Sequence, residues 1–278
     1  MPLTSTGALV AEAVAGGRAL AAFNVITVEH AEAIVAGAER AGLPVILQIS
    51  QNAVKFHGWR LGPIAAATAA VAESSTVDTA LHLDHVEDAE LLHRAPAHRF
   101  GSVMFDASRL SYEDNVAATR QATEFCHGHG LWLESELGEI GGKDGAHAPG
   151  VRTDPDEARE YAAATGVDAL AVAVGSSHAM TDRTAALDQD LSARLHAAVP
   201  VPLVLHGSSG VPDGELAAAV TAGMAKVNVG TALNIAFTAA VRDTLTDPTL
   251  VDPRKYLAPA RDAMAATVAH FLSVLALR

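Results

Sequence analysis

This chain of 278 residues holds a single cysteine, Cys126. No disulfide can form within it, and such sparing use of thiols fits a reducing compartment. Cations are also scarce: 19 lysines and arginines face 32 aspartates and glutamates, a formal net charge of −13. A general nucleic-acid surface or an anionic membrane needs a basic face, so neither partner is expected. A local anion site built from backbone N–H groups remains open. No apolar run approaches the roughly 20 residues that span a bilayer. Glu12, Gly16, Gly17 and Arg18 interrupt the N-terminal segment, so no signal peptide is expected and the cytoplasm is the expected location. Low-complexity tracts and Pro- or Ser-rich linkers are missing as well, which predicts one domain over residues 1–278.

Half of the chain is apolar, enough for a large core. Eight short apolar runs read as strands: 19–24, 44–50, 79–84, 102–106, 131–137, 169–174, 201–206 and 224–229. Helix-spaced, alanine-rich segments separate most of them, at 29–41, 59–73, 112–127, 155–165, 213–222 and 231–245. Shorter helices are read at 86–95 and 187–198. Strict alternation predicts an α/β fold with a parallel sheet and right-handed crossovers. Eight units, in a chain near the roughly 250 residues typical of the fold, predict a (β/α)8 TIM barrel. An extra N-terminal helix (6–16) and a C-terminal helical extension (258–277) flank it.

The strand-like runs turn polar at one end. Asn24 ends the first, Ser50 the second, Asp84 and His85 the third, and Asp106 the fourth. Glu134 and Glu136 lie two apart on the fifth and so share a face. His178 follows the sixth, His206 ends the seventh and Asn228 is near the end of the eighth. A parallel barrel aims these ends at one face, where its chemistry is done. Three imidazoles converging there, His85, His178 and His206, form a candidate site for one divalent metal with a position open to substrate. Zinc suits such a site, and cobalt or iron can substitute. Glu136 is either a further or alternate ligand or a carboxylate that orients one of the histidines.

Two glycine-bearing runs form the second constellation. G-S-S-G (207–210) follows strand seven and N-V-G-T (228–231) closes strand eight and enters a helix. Barrel enzymes bind phosphate with these two loops. Gly207, Ser209, Gly230 and Thr231 supply N–H and hydroxyl donors, and the helix adds its positive end. Asp84, beside His85, is either a general acid/base or a plain hydrogen-bond acceptor. Asn228 is placed to bond a substrate hydroxyl or an enediolate oxygen, or merely caps its strand. The loop 138–150 carries five glycines, a composition that permits a lid. Asp144 on that loop is a candidate second acid/base.

These residues carry a resemblance. A-F-N-V (22–25), P-V-I-L-Q-I-S (44–50), H-L-D-H (82–85), E-S-E-L-G-E-I-G-G (134–142), H-G-S-S-G-V-P (206–212), K-V-N-V-G-T (226–231) and D-P-R-K-Y-L-A-P-A (252–260) are similar to class II, metal-dependent fructose-bisphosphate aldolases. Within that family they resemble the shorter fructose/tagatose-bisphosphate branch. The resemblance implies reversible cleavage of a ketose phosphate to dihydroxyacetone phosphate and an aldehyde, with one zinc ion per subunit and room for a monovalent cation. It implies His85, His178 and His206 as zinc ligands, with Glu136 as an alternate. Asp84 falls on the acid/base for the aldehyde-derived hydroxyl, and Asn228 on the residue that holds the dihydroxyacetone phosphate portion. Gly207, Ser209 and Thr231 fall on phosphate-binding positions, and Ser50 lies where a second phosphate binds. Asn24 and Gly230 are grouped with these substrate-binding positions. A homodimer or homotetramer is expected.

The chain also departs from the family. Asp144 stands where Glu is usual, Ala179 where Gly is usual, and Asp182 near a usual Lys. Thr27, Asn52, Val86, Gly230 and Ala232 differ from common choices too. Three rival readings follow. Lys226 shares a face with Asn228 and is a candidate Schiff-base nucleophile. A barrel metallohydrolase would carry paired histidines on strand one, which ends A-F-N instead. A non-catalytic sugar-phosphate binder would keep the metal and lose turnover. The apolar end F-L-S-V-L-A-L (271–277) packs either in a subunit interface or on its own barrel.

Overall fold

The computed structural model describes residues 3–137, 151–177 and 180–278. Its strands are β1 (Leu20–Asn24), β2 (Val45–Ser50), β3 (Thr79–Val86), β4 (Ser102–Phe105), β5 (Trp132–Glu136), β6 (Ala169–Ala171), β7 (Leu203–Leu205) and β8 (Met224–Val229). They form a closed parallel barrel in chain order, with β8 returning to β1 through Ala22 opposite Asn228. The helices are α1 (Thr6–Ala15), α2 (Val28–Ala41), α3 (Gln51–Phe56), α4 (Leu61–Glu73), α5 (Ala89–Arg94), α6 (Tyr112–Gly128), α7 (Pro155–Thr165), α8 (Gln189–Ala198), α9 (Asp213–Thr221), α10 (Thr231–Thr244) and α11 (Pro253–Leu275). The expected (β/α)8 barrel is the observed architecture.

Local sequence explains where these elements begin and stop. Asp154 accepts the N–H groups of Asp156 and Glu157, with Pro155 in the first turn of α7, and Gly166 in the left-handed region ends it. Both are favoured terminal residues. The helix read at 59–73 begins at Leu61, because Gly58 and Trp59 each take a φ of 63° and separate it from the short α3, which the sequence reading does not mark. β6 and β7 are shorter than the runs read at 169–174 and 201–206. Pro202 accepts from the Leu170 N–H through its carbonyl but has no N–H to extend the ladder. The C-terminal helix starts five residues before position 258, since Asp252 caps it and Pro253 suits its first turn.

Side chains alternate along each strand. Ala21 and Phe23, Val45, Leu47 and Ile49, and Leu81 and Leu83 join the large core under the helices. Leu20 and Ala22, Ile46 and Ala80 belong to a separate cluster that α1 completes with Leu9, Val10 and Ala13. The N-terminal helix is thus a plug in the barrel's lower mouth. Leu9 and Val10 are almost wholly buried there, each contributing about 1.5–3 kcal/mol. Thr6 at the head of α1 bonds the Ser102 hydroxyl at 2.7 Å, and Ser102 bonds His82 Nδ1 at 2.7 Å. A polar thread therefore runs from the plug into the barrel interior.

The C-terminal helix answers the question left open for its apolar end. Phe271, Leu272 and Leu275 are buried on their own barrel, and the Phe271 ring meets Phe23 of β1 edge-on at 6.4 Å. The α2–α11 contact is close because position 37 is glycine. A Cβ there would lie 2.6 Å from the Ala265 carbonyl oxygen and from Val268 Cβ.

Candidate active site

From the second or third inward position the strands change character. Where the second cluster has Leu20, Ile46 and Ala80, two steps or four further along stand Asn24, Gln48 and Ser50, His82 and Asp84. These ends border a cavity of about 390 Å³ at the C-terminal mouth. Asn24, Ser50, Asp84, His85, Asn228 and Thr231 line it, with Gly207, Ser209 and Gly230. Residues gathered from five strand ends thus share one hollow.

His85 reaches it through local strain. The β3–β4 register shifts between Leu83 and Val86, and His85 has a φ of 47°, uncommon for a residue other than glycine. Such irregularities re-aim side chains beside functional sites. Asp106 then holds the ring, its Oδ2 3.1 Å from His85 Nδ1, while its Oδ1 accepts from the Ser108 N–H and hydroxyl. The centroid of the His206 ring lies 4.8 Å from that of His85. His206 Nε2 lies 2.8 Å from Glu134 Oε1, and Glu136 Oε2 is 3.5 Å from His206 Nδ1. His85, Glu136 and His206 each offer one donor atom, all within 4.8 Å of one another.

The hydrogen bonds decide which nitrogens serve. A carboxylate accepts, so Asp106 takes the Nδ1 proton of neutral His85 and Glu134 the Nε2 proton of neutral His206. The lone pair then sits on Nε2 of His85 and on Nδ1 of His206, where a cation needs it. Burial lowers the His85 pKa, but Asp84, Asp106 and Glu136 outweigh it and carry it up to about 10. His206 is likewise pulled down by burial and raised on balance by Glu134 and Glu136. A surplus of negative charge thus draws cations, a proton or a metal, into this cluster. His178 and Asp144 lie outside the described residues.

Beneath the cluster runs a buried charge pair. Lys226 and Glu134 are fully buried, with Lys226 Nζ 2.8 Å from Glu134 Oε2. Burial raises the Glu134 pKa, but the Lys226 ammonium and His206 outweigh it and hold the carboxyl well below its ordinary range. Burial and that same ammonium keep His82 well below the usual imidazole value, hence neutral. Lys226 also donates to Asn228 Oδ1 at 2.6 Å. An ammonium engaged on both sides shows no lone pair to a carbonyl, which argues against the Schiff-base reading.

Another wall of the cavity comes from the seventh and eighth loops. Gly207 takes a φ of 66°, and a Cβ there would lie 2.7 Å from the Ser177 backbone. Only glycine suits both demands. Ser208–Gly210 form one 3₁₀ turn, and Ser209 Oγ accepts from the Ala232 N–H at 3.0 Å, tying the seventh loop to the start of α10. Gly230 caps that 14-residue helix without a side chain, so its positive end faces the cavity. Asp182 is exposed.

Two residues to which the sequence reading gave no role stand out. Glu134, one inward step below Glu136, is the partner of both His206 and Lys226; its place two residues before Glu136 was the available signal. Gln48, two residues before Ser50, is fully buried and donates to Asn24 Oδ1 at 2.6 Å and to Asp84 Oδ2 at 3.4 Å.

A parallel barrel with a histidine and carboxylate cluster, an adjacent acid/base candidate and a donor cradle at its C-terminal mouth defines a class of barrel enzymes that work on small anionic substrates. Comparison narrows the class. The profile of class-II fructose-bisphosphate aldolases matches residues 4–277. The chain is 38% identical over 272 residues to a fructose-bisphosphate aldolase of Geobacillus stearothermophilus, covering 96% of this chain and 95% of that one. It is 39% identical, at the same coverage, to a probable fructose-bisphosphate aldolase of Bacillus subtilis strain 168. Among solved structures, the YdjI aldolase of Escherichia coli K12 superposes with a TM-score of 0.84 at 30% identity, covering 98% of this chain and 97% of that one. The chain belongs to the class II fructose-bisphosphate aldolase family, and is a lyase.

Proposed function

We propose that this enzyme cleaves a ketose phosphate reversibly into dihydroxyacetone phosphate and an aldehyde, using one zinc ion per subunit. The observation that carries the reading is a single cavity in which His85, itself grouped with Glu136 and His206 within 4.8 Å, meets Asp84 and the loop residues Gly207, Ser209 and Thr231. Two imidazoles with fixed tautomers and a carboxylate fit a divalent cation of borderline softness, and His178 is the proposed third imidazole. When bound, the ion supplies Lewis-acid polarisation of the substrate ketone.

The chain's own residues do the rest. N–H and hydroxyl groups of the seventh and eighth loops hold the phosphate of the dihydroxyacetone portion, and Gly230 leaves room beside Asn24. The Asn228 amide holds the ketone-derived end. In cleavage, Asp84 takes the proton from the hydroxyl on the carbon that becomes the aldehyde. The carbon–carbon bond breaks, its electron pair passes toward the ketone, and the resulting enediolate is reprotonated at carbon. Asp144 is the proposed lid acid for that last transfer. Ser50 is the proposed contact for a second phosphate on the aldehyde half, and a monovalent cation beside the phosphate is part of the same proposal.

Fructose 1,6-bisphosphate and tagatose 1,6-bisphosphate are the first substrates to assay, with related ketose monophosphates beside them, each with and without a chelator. The expected result is cleavage of at least one, lost on chelation and restored by zinc. Binding of every ketose phosphate with cleavage of none would leave a sugar-phosphate binder instead. A homo-oligomer in the cytoplasm completes the proposal, to be checked by light scattering and by fractionation. No helix among the described residues is long and apolar enough to cross a membrane.

A further inference from the structure

We infer that Lys226 is a positioning residue, whose buried ammonium decides which end of the Asn228 amide faces substrate. It rests on the aldolase reading and deepens it. An asparagine amide has two ends of nearly equal size, and only its hydrogen-bond partners tell them apart. An ammonium can only donate. Lys226 Nζ sits 2.6 Å from Asn228 Oδ1, and Glu134 Oε2, 2.8 Å away on the same ammonium, supplies the countercharge that keeps it there. All three side chains are buried. The amide nitrogen must therefore point the other way, and Asn228 Nδ2 donates to Asp84 Oδ1 at 3.3 Å.

A flipped amide would fail at both ends. Its NH2 would press on the ammonium and its oxygen on the Asp84 carboxylate, two repulsive contacts in a site from which water is largely excluded. Gln48 points the same way, giving its amide N–H groups to Asp84 Oδ2 and to Asn24 Oδ1. Asp84 thus accepts at one oxygen from Asn228, itself oriented by Lys226, and at the other from Gln48. Asn228 presents N–H groups, not a carbonyl, to the oxygen that gains charge when dihydroxyacetone phosphate loses its proton. Lys226 acts without touching the substrate.

The test uses the first half-reaction, deuterium exchange into dihydroxyacetone phosphate in heavy water with no aldehyde present. A Glu134→Gln background removes the buried carboxylate, so that Lys226→Met leaves no lone charge behind. In that background, with zinc content per subunit confirmed equal, Lys226→Met removes the lone buried charge and is expected to leave the melting temperature no lower, while exchange falls about 100-fold. The loss falls on kcat as well as KM. Asn228→Ala in the same background loses a similar factor, and the two changes together lose no more than Asn228→Ala alone, because one acts through the other. Lys226→Gln, which keeps a donor at that depth, recovers part of the rate. It also serves in the same cycle should the methionine variant not fold. Multiplying losses in the combined variant, or unchanged exchange on losing Lys226, overturns the inference. So does a borohydride-trapped adduct on Lys226. No exchange in the zinc-loaded wild-type enzyme would instead defeat the aldolase reading itself.

Discussion

On β1, β2, β3 and β5 the first inward residues are Leu20, Ile46, Ala80 and Trp132, and four positions later on the same faces stand Asn24, Ser50, Asp84 and Glu136. The lower set, closed by α1, is an apolar plug. In the upper set Asp84 and Glu136 are buried charges, and beneath them Glu134 pairs with both His206 and Lys226. The same backbone ladder supports both, so the difference lies wholly in side chains spaced two apart. Apolar burial in the lower layer stabilises the barrel. Buried ions in the upper layer are compensated only while each has its partner, and add little stability of their own. What they gain is fixed orientation of the groups at the cavity.

Substitutions in the two layers break or sharpen this contrast. Asp84→Asn removes the proposed proton acceptor and is expected to lower kcat by about 10²–10⁴-fold in a cleavage assay, with a smaller loss of stability, about 1–3 kcal/mol, where the new NH2 meets the Asn228 or Gln48 donor. Glu134→Ala strips partners from His206 and Lys226 together. Urea denaturation should show a loss of about 3–5 kcal/mol, and competition with a metal indicator should show zinc affinity reduced about 10–100-fold. Ile46→Ala, fully buried in the lower layer, should cost about 2–5 kcal/mol of stability while kcat/KM per folded molecule stays put. Activity lost in proportion there would show that the two layers are not separable.

The smallest effect concerns pH. His85 is raised from 6.5 to about 10 in the metal-free protein. Its protonated form therefore stabilises that protein fully below about pH 6.5, and this stabilisation is lost as pH rises through about 10. A metal ion held by His85, as proposed, must displace that proton, so its affinity is expected to rise with pH over the same window. Calorimetric titration at pH 7.5 in buffers of different ionisation heat should show roughly one proton released from His85 per ion bound. Uptake without release would mean that His85 is not a ligand.

Much of the fold was legible because period-2 runs alternated with helical ones and the polar residues collected at one end of each run. Strand limits were less so. Pro202 and the paired left-handed residues Gly58 and Trp59 override the apolar pattern around them, and only backbone geometry shows it. In the site, His85, His206 and Glu136 were readable from their strand ends, as were the glycines that line the cradle. Glu134 was not, although it lies in E-S-E, because a carboxylate that orients a ligand looks in sequence like one that binds the metal. Lys226 was readable as a buried lysine, but its partners, which separate a nucleophile from a positioning charge, come from β5 and from its own strand two residues on. The apolar C-terminal end read equally well as interface or core, since burial by a partner and burial by its own barrel leave the same residue pattern.

Anomalous diffraction at the zinc edge, from crystals of the wild-type protein soaked in zinc, tests the central claim most directly. One peak per chain is predicted, about 2.0–2.1 Å from Nε2 of His85 and from Nδ1 of His206, with the His178 ring as a third neighbour. A fully occupied zinc peak elsewhere on the chain, with the space between His85, Glu136 and His206 empty, would contradict it.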